Sequence, residues 1–283
     1  MTNASFSFEI ARRLLRCIPN QLTGKTRIRR AALRILRSHL PVRIPDRYGN
    51  SIWCPSLDEP IAAALFASGV YEKETIDTIL SHLPFDGTYI DVGANVGAIA
   101  LPVAARRPNG RVICVEADPA IAAILQRNKE ENGRSNITAV ECVAGSEEKA
   151  ISFYSAPAGR FGMGSIGPQF DAVPITLKQR TLDGILDELD IRDVNVVKLD
   201  IEGAELGALR GLSRRLASAN PPVVIFEFAD WAEGRISGQN PGDAQAFLIS
   251  IGYRIFHFES GGISRRALDT PVTCGSGMFL ALR

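Results

Sequence analysis

From Thr88 onward the chain alternates short, almost unbroken apolar runs with helix-length stretches. "TYIDV", "RVICVEA", "NITAVECVA", "VNVVKLD" and "PPVVIFEF" are the runs, and helices are predicted over 97–106, 119–132, 182–189, 202–216 and 243–251. A strand that is apolar at successive positions must be covered on both faces. Strands alternating with helices of this length build βαβ units on a mainly parallel sheet. The pattern predicts a doubly wound α/β domain over 85–283. "YRIFHFE" and "SGMFLALR" read as closing strands, and "KAISFYSA" and "VPITLKQRT" as strands flanking the Gly-rich loop "AGRFGMGSIGP". Hydrophobic residues make up 46% of the 283, enough for a core of that size.

Residues 1–84 read differently, as a basic helical extension or cap. Residues 1–50 hold 11 Lys or Arg and 2 Asp or Glu, whereas the other 233 hold 21 and 29. The whole chain is nearly neutral at +1, which gives no general pull toward nucleic acid. Over 8–38, Ile10, Leu14, Leu15, Leu33, Ile35 and Leu36 supply apolar faces between arginines, and Pro19 splits the stretch into two helices. Such an arm suits an anionic membrane surface, a partner or a second copy. The plainer reading is a cap over a ligand pocket with solvated arginines. A hairpin turning at Tyr48-Gly49-Asn50 and two short helices at 58–67 and 72–82 complete the extension. None of the five cysteines forms a CxxC pair, so neither a zinc site nor a disulfide framework is implied. A reducing, cytoplasmic setting is expected. No secretory signal is visible, and the 12-residue run "PIAAALFASGVY" is too short to span a bilayer.

In a doubly wound sheet, ligands bind beyond the carboxyl ends of the strands, where the strand order reverses. Asp91 and the turn "GANVG" fall at that edge. Gly93 and Gly97 let the chain turn sharply and let the next helix pack close to the strand. A dinucleotide fingerprint would carry its second glycine where Asn95 stands. A side chain there obstructs a pyrophosphate but hydrogen-bonds a smaller ligand. Asp91 disfavours phosphate and suits a cation. Glu116, at the end of the second strand, is placed to accept from two ribose hydroxyls. A ribose, no pyrophosphate and a positive charge together describe S-adenosylmethionine. A nicotinamide-dependent oxidoreductase, and a binding module without turnover, are the alternatives.

"YIDVGANVGAIALPVA", "GRVICVEADPAIAAILQRN", "VVKLDIEGAELGALRGL" and "PPVVIFEF" resemble successive blocks of FkbM-type S-adenosylmethionine-dependent methyltransferases, and "KLDIEGAE" is the most specific of them. The lead-in "GVYEKETIDTIL" resembles the family too, with Gly69, Tyr71 and Glu72 matching. "VEADP" departs from the family's "FEP". The resemblance implies a seven-stranded, Rossmann-like class I methyltransferase fold and O-methylation of a hydroxyl on a small molecule, sugar or natural product. It assigns Asp91, Gly93, Asn95 and Gly97 to the methionine and ribose side. Glu116 and its neighbour Ala117 go to the ribose, the strand end at Cys142, Val143 and Ala144 to adenine, and Glu72 to the methionine end.

The second acidic cluster, Asp200, Glu202 and Glu205, follows the fourth core strand. A hydroxyl needs its proton removed before it attacks a methyl group, so a carboxylate there would serve as general base. Asp200 is preferred, with Glu202 second, and Asp200 would alternatively hold the cofactor ammonium. Glu205 reads as a helix N-terminal acid. Glu227, in the apolar "VVIFEF", is either a buried acid paired with a loop amide or Lys198, or a further site carboxylate. His39 and His82 read as structural, and His257 is the histidine best placed to act as a base. No metal is expected. The Gly-rich loop around Phe161 and Met163 would cover the acceptor as a lid.

Overall fold

The computed structural model describes residues 41–259 and 262–283. The basic arm at 8–38, with Cys17 and His39, lies outside the described residues. Strands β1 (Val42–Pro45) and β2 (Ser51–Cys54) form the expected hairpin, and helices α1 (Pro60–Ser68) and α2 (Lys73–His82) follow. Pro60 opens α1, where its missing N–H costs nothing, and Gly69 closes it in a left-handed conformation.

The central sheet contains β3 (Thr88–Val92), β4 (Arg111–Glu116), β5 (Ile137–Glu141), β9 (Val196–Leu199), β10 (Val223–Ala229), β11 (Arg254–Glu259), β12 (Gly262–Ile263) and β13 (Ser276–Leu282). Its order is β12-β11-β13-β10-β9-β3-β4-β5. β5, β4, β3, β9 and β10 run parallel, and β13 runs antiparallel between β10 and β11. Seven of these strands are the expected ones, and the two-residue β12 extends the edge beyond β11. The connecting helices are α3 (Ala100–Arg106), α4 (Pro119–Glu131), α5 (Leu182–Glu188), α6 (Glu205–Arg210), α7 (Ser213–Leu216), α8 (Asp230–Glu233) and α9 (Asp243–Ser250). The single helix expected over 202–216 is two short ones. The short α8 was not expected.

Strand pleating divides the core. Tyr89, Val196, Ile225 and Leu280 pack on one face of the sheet with β1, β2, α1, α2 and α3. Ile90, Val197, Phe226 and Phe279 pack on the other with α5, α6 and α9. Residues of the hairpin and of α1 and α2 thus share one buried cluster with the sheet. Phe226 is fully buried and stacks on Phe279 at 5.6 Å between ring centroids. Truncating it to alanine is expected to cost about 3–5 kcal/mol.

The run "NITAVECVA" was expected as one strand and is two. β5 stays in the central sheet, whereas β6 (Val143–Ala144) leaves it for a three-stranded sheet with β8 (Ile175–Arg180) and β7 (Lys149–Phe153). At the break the Cys142 N–H donates to the Glu116 carbonyl, 3.1 Å away. The chain order reverses at β3, between β4 and β9, so a crevice opens at the carboxyl ends of those three strands.

Candidate active site

A cavity of about 260 Å³ occupies that crevice. Its floor is set by strand register. Asp91 on β3 lies directly opposite Lys198 on β9, and both point to the face shared with Tyr89 and Ile225. Asp200 follows the end of β9, and Glu227 lies in the adjacent β10 beyond the Leu199–Phe226 pair. The Lys198 ammonium is 3.2 Å from Asp200 Oδ2 and 3.5 Å from Asp91 Oδ1. Lys198 is 2% exposed and Asp91 is fully buried. Both carboxylates hold the Lys198 pKa well above the usual lysine range against the opposing effect of burial.

Asp91 is the most unusual group in the cavity. Among the described residues its polar company is the Lys198 ammonium at 3.5 Å and the equally buried Tyr89 hydroxyl, and neither meets it in ordinary hydrogen-bond geometry. Burial pushes the Asp91 carboxyl up to about 6, Lys198 opposes that shift and Asp200 adds to it. Lys198, which it shares with the closer Asp200, offsets only part of the cost of burying that carboxylate.

Gly93 is required where it stands. Its φ is +77°, and a Cβ there would lie 2.0 Å from the Asp200 carbonyl oxygen. Only glycine lets the β3 and β9 ends approach this closely. Asn95 also adopts a left-handed conformation (φ +50°), and its side-chain oxygen accepts from the Val96 N–H at 2.8 Å. The Asn95 N–H in turn donates to Glu116 Oε2 at 2.8 Å, and the Asp118 N–H donates to Glu116 Oε1 at 2.9 Å. Both Glu116 oxygens are therefore oriented by backbone amides and keep lone pairs for further donors. Burial raises Glu116 to about 7, against those amides. Asp118 caps α4 by accepting from the Ala120 N–H at 2.9 Å, with Pro119 in the first turn.

The far wall is acidic as well. Glu202 has φ +54° and one carboxylate oxygen with no hydrogen bond. Burial, reinforced by Asp200, raises it to about 7. Glu205 is buried in the first turn of α6 and accepts from the Ile201 N–H at 2.9 Å, so its role is local. Glu227 meets Asp200 rather than Lys198. Burial, and then the Asp200 charge and hydrogen bond, raise it to about 9. The roof is a strap over 160–166 containing the short 3-10 turn Phe161–Met163. It is tied to the walls by the Phe161 N–H to Glu59 (3.1 Å) and by Ser165 Oγ to the Glu202 carbonyl (3.1 Å).

The residues from 91 to 255 match the family model of the methyltransferase FkbM domain. The chain belongs to the FkbM methyltransferase family. It is 27% identical over 174 residues to "Methyltransferase 1" of Beauveria bassiana (strain ARSEF 2860), covering 53% of this chain and 69% of that one. It is 28% identical over 155 residues to the hexuronic acid methyltransferase AglP of Haloferax volcanii, covering 54% of this chain and 61% of that one. Among solved structures, the precorrin-6y C5,15-methyltransferase of Geobacter metallireducens GS-15 aligns with a TM-score of 0.42 at 17% identity, over 76% of this chain and 94% of that one.

In this FkbM methyltransferase the cavity gathers Glu72, Asp91, Gly93, Asn95, Glu116, Ala117, Cys142, Val143, Asp200 and Glu202 from the sequence-derived candidates. Gly97 does not line it. A Cβ at Gly97 (φ +86°) would sit 3.0 Å from Leu125 Cδ1, so this glycine serves helix packing. His257 is a correction. It alternates onto the sheet face of Ile255 and Phe279, its ring 5.0 Å from Phe279, and lines a separate wide cavity at the β11–β13 edge. It is on the opposite face from Asp91, Lys198 and Glu227 and cannot serve them as a base.

Sequence reasoning missed Glu59 and Phe153 as lining residues, while Arg160 stands in the Gly-rich loop it read as a lid. It named Lys198 only as a partner for Glu227. A lysine inside "VVKLD" carries the same signal as the acid in "VVIFEF", because a charge in a buried strand requires a partner. Nothing comparable marks Phe153. No group of three His, Cys, Asp or Glu side chains among the described residues converges as a metal site.

Proposed function

We propose that the protein transfers a methyl group from S-adenosylmethionine to a hydroxyl of a sugar or other small molecule. The observation that carries this reading is the pairing of two unlike carboxylates. Asp91 is buried on the cavity floor and shares a single buried lysine with Asp200, and Glu116 is aimed by two amides. The first suits a cationic group, and the second suits a pair of hydroxyls. When bound, the cofactor supplies an electrophilic methyl group on a sulfonium.

The chain's own residues would do the rest. Asp91 attracts the positive end, with Lys198 setting its charge and Asp200 closing the far side. Glu116 orients the ribose, and Cys142 and Val143 border the adenine. Glu72 lines the cavity with one oxygen lacking a hydrogen bond, which fits it to the amino-acid end. Glu202 takes the acceptor's proton. Its carboxyl is raised to about 7, which matches that task near neutral pH, whereas Asp200 is engaged by a buried lysine. The strap at 160–166 excludes water from the reacting groups. The name of the Haloferax relative refers to a hexuronic acid, which supports a sugar as the acceptor class.

Calorimetry with S-adenosylmethionine and S-adenosylhomocysteine tests the reading. Binding of both is expected, weakened at least tenfold by Asp91→Asn and by Glu116→Gln. Tight binding of a nicotinamide dinucleotide, with neither adenosyl compound bound, would refute it. Mass spectrometry of a hydroxyl-compound panel then reads O-methylation directly.

A further inference from the structure

Glu59 lies outside the stretch that matches the family model. It occupies the N-cap position of α1, where an acidic side chain ordinarily accepts from the helix's own N–H groups. Here the side chain makes no such bond. It turns away and lines the cavity. Glu59 is 5% exposed. Oε2 accepts from the Phe161 N–H at 3.1 Å, the Gly159 amide also favours the charged carboxylate, and Oε1 has no partner in ordinary hydrogen-bond geometry. A carboxylate so deeply buried with one oxygen unsatisfied is stabilised by any N–H or O–H donor that reaches it.

The neighbours fix which end of the cavity this is. Phe161 precedes Gly162, where a Cβ would stand 3.1 Å from the Asn95 side-chain nitrogen. The Asn95 N–H holds Glu116. Glu59 and Glu116 therefore border the same end, while Asp200 follows β9 and Glu227 lies in the neighbouring β10. An anionic ligand group is excluded beside two carboxylates. A neutral donor such as a ribose hydroxyl or the exocyclic amine of adenine fits.

We propose that Glu59 is a second nucleoside-binding carboxylate, and that it couples occupation of that end of the cavity to closure of the strap at 160–166. This inference rests on the functional reading above. One carboxylate would serve both partners. Oε1 accepts from the ligand, and Oε2 holds the strap through Phe161. Burial raises the proton affinity of this carboxyl, and a donor on Oε1 favours its charged form. The charged form makes the stronger bond to the Phe161 amide. The strap is fixed independently at its other end, where Ser165 and Tyr154 exchange backbone hydrogen bonds of 3.1 and 2.8 Å. The Met163 carbonyl accepts from the Gln169 side chain, so release at Glu59 would free only the stretch before Met163.

The test uses adenosine and S-adenosylhomocysteine as probes of the full chain, by calorimetry and by hydrogen exchange of peptides covering 160–166. Glu59→Gln is expected to weaken both probes by the same factor, about tenfold. S-adenosylhomocysteine is expected to slow exchange of the strap in the wild type and not in the variant. Three analogues locate the contact: 2′-deoxyadenosine, 3′-deoxyadenosine and N6,N6-dimethyladenosine. One of them should lose the same factor in the wild type and lose nothing further in Glu59→Gln. Equal adenosine affinity in wild type and variant would overturn the proposal. So would a full loss in the variant with all three analogues, or unaltered strap protection. Glu59→Asp, which keeps the charge and shortens the reach, decides the same points if Glu59→Gln is poorly folded. A wild type that binds neither probe overturns the functional reading itself. Normal binding that is indifferent to Glu59 overturns only this inference.

Discussion

Lys198→Met removes the buried cation of the cavity floor while keeping most of the side-chain volume. Its ammonium is 3.2 Å from Asp200 and 3.5 Å from Asp91, with 2% of the residue exposed. Breaking a buried ion pair by deleting one partner costs about 3–5 kcal/mol, because the remaining charge is left buried. That is a large fraction of the roughly 5–15 kcal/mol that holds a domain folded. The loss should also depend on pH. In the wild type Asp91 already titrates near 6 rather than 3.8, and Lys198 holds it down against burial. Without Lys198 the Asp91 carboxyl keeps its proton to higher pH. The folded variant then binds more protons than the folded wild type above pH 6, so the wild type's advantage grows with pH. One retained proton corresponds to about 1.4 kcal/mol per pH unit. Between pH 6 and 8 the penalty should rise with pH, by at most about 2–3 kcal/mol. Urea denaturation of both proteins at pH 5, 6, 7 and 8 measures this. Asp91→Asn in the variant background should recover much of the loss at pH 8. Parallel stability curves for wild type and variant across that range would refute the reasoning.

Three further outcomes follow from the same geometry. Gly93→Ala meets the Asp200 carbonyl at 2.0 Å in a left-handed conformation, whereas Gly133→Ala (φ +61°) meets nothing within 4 Å. The first should cost about 2–5 kcal/mol and abolish ligand binding, and the second only about 1–2 kcal/mol, as read by denaturation and calorimetry. Asp91 titrates near 6 and Glu116 near 7, both raised, so each loses its proton late. S-adenosylmethionine affinity should therefore rise from pH 5.5 to 8, with proton release on binding detectable in buffers of different ionisation enthalpy. Cys54, Cys114 and Cys142 are buried, with Cys54 and Cys142 pushed up to about 12 by burial, whereas Cys274 is exposed. Among these four, only Cys274 should react with a thiol reagent in the native protein, as peptide mapping would show.

The fold was largely legible because burial on both faces leaves a direct trace. Residues such as "TYIDV" and "VVIFEF" have no other stable use, and their alternation with helices restricts the connections. The breaks were harder to see. "NITAVECVA" is equally apolar across Cys142, so nothing in its pattern marks where the chain leaves one sheet for another. His257 was misread for a related reason. Alternation along β11 assigns it to a face, but only the pairing with β13 says which face that is.

By itself the sequence determined the chemistry available at the sheet edge. Asp91, Gly93, Asn95, Glu116 and Asp200 occupy strand ends, and a parallel sheet brings strand ends to one rim whatever the details of packing. Tertiary structure decided how those groups are charged. That Asp91 stands against Lys198, that Glu227 meets Asp200 instead, and that Glu59 reaches across to the strap are matters of register and of long chain separation. Proton affinity and hydrogen bonding depend on distances of a few ångströms and on the exclusion of water, and neither is written in the order of residues.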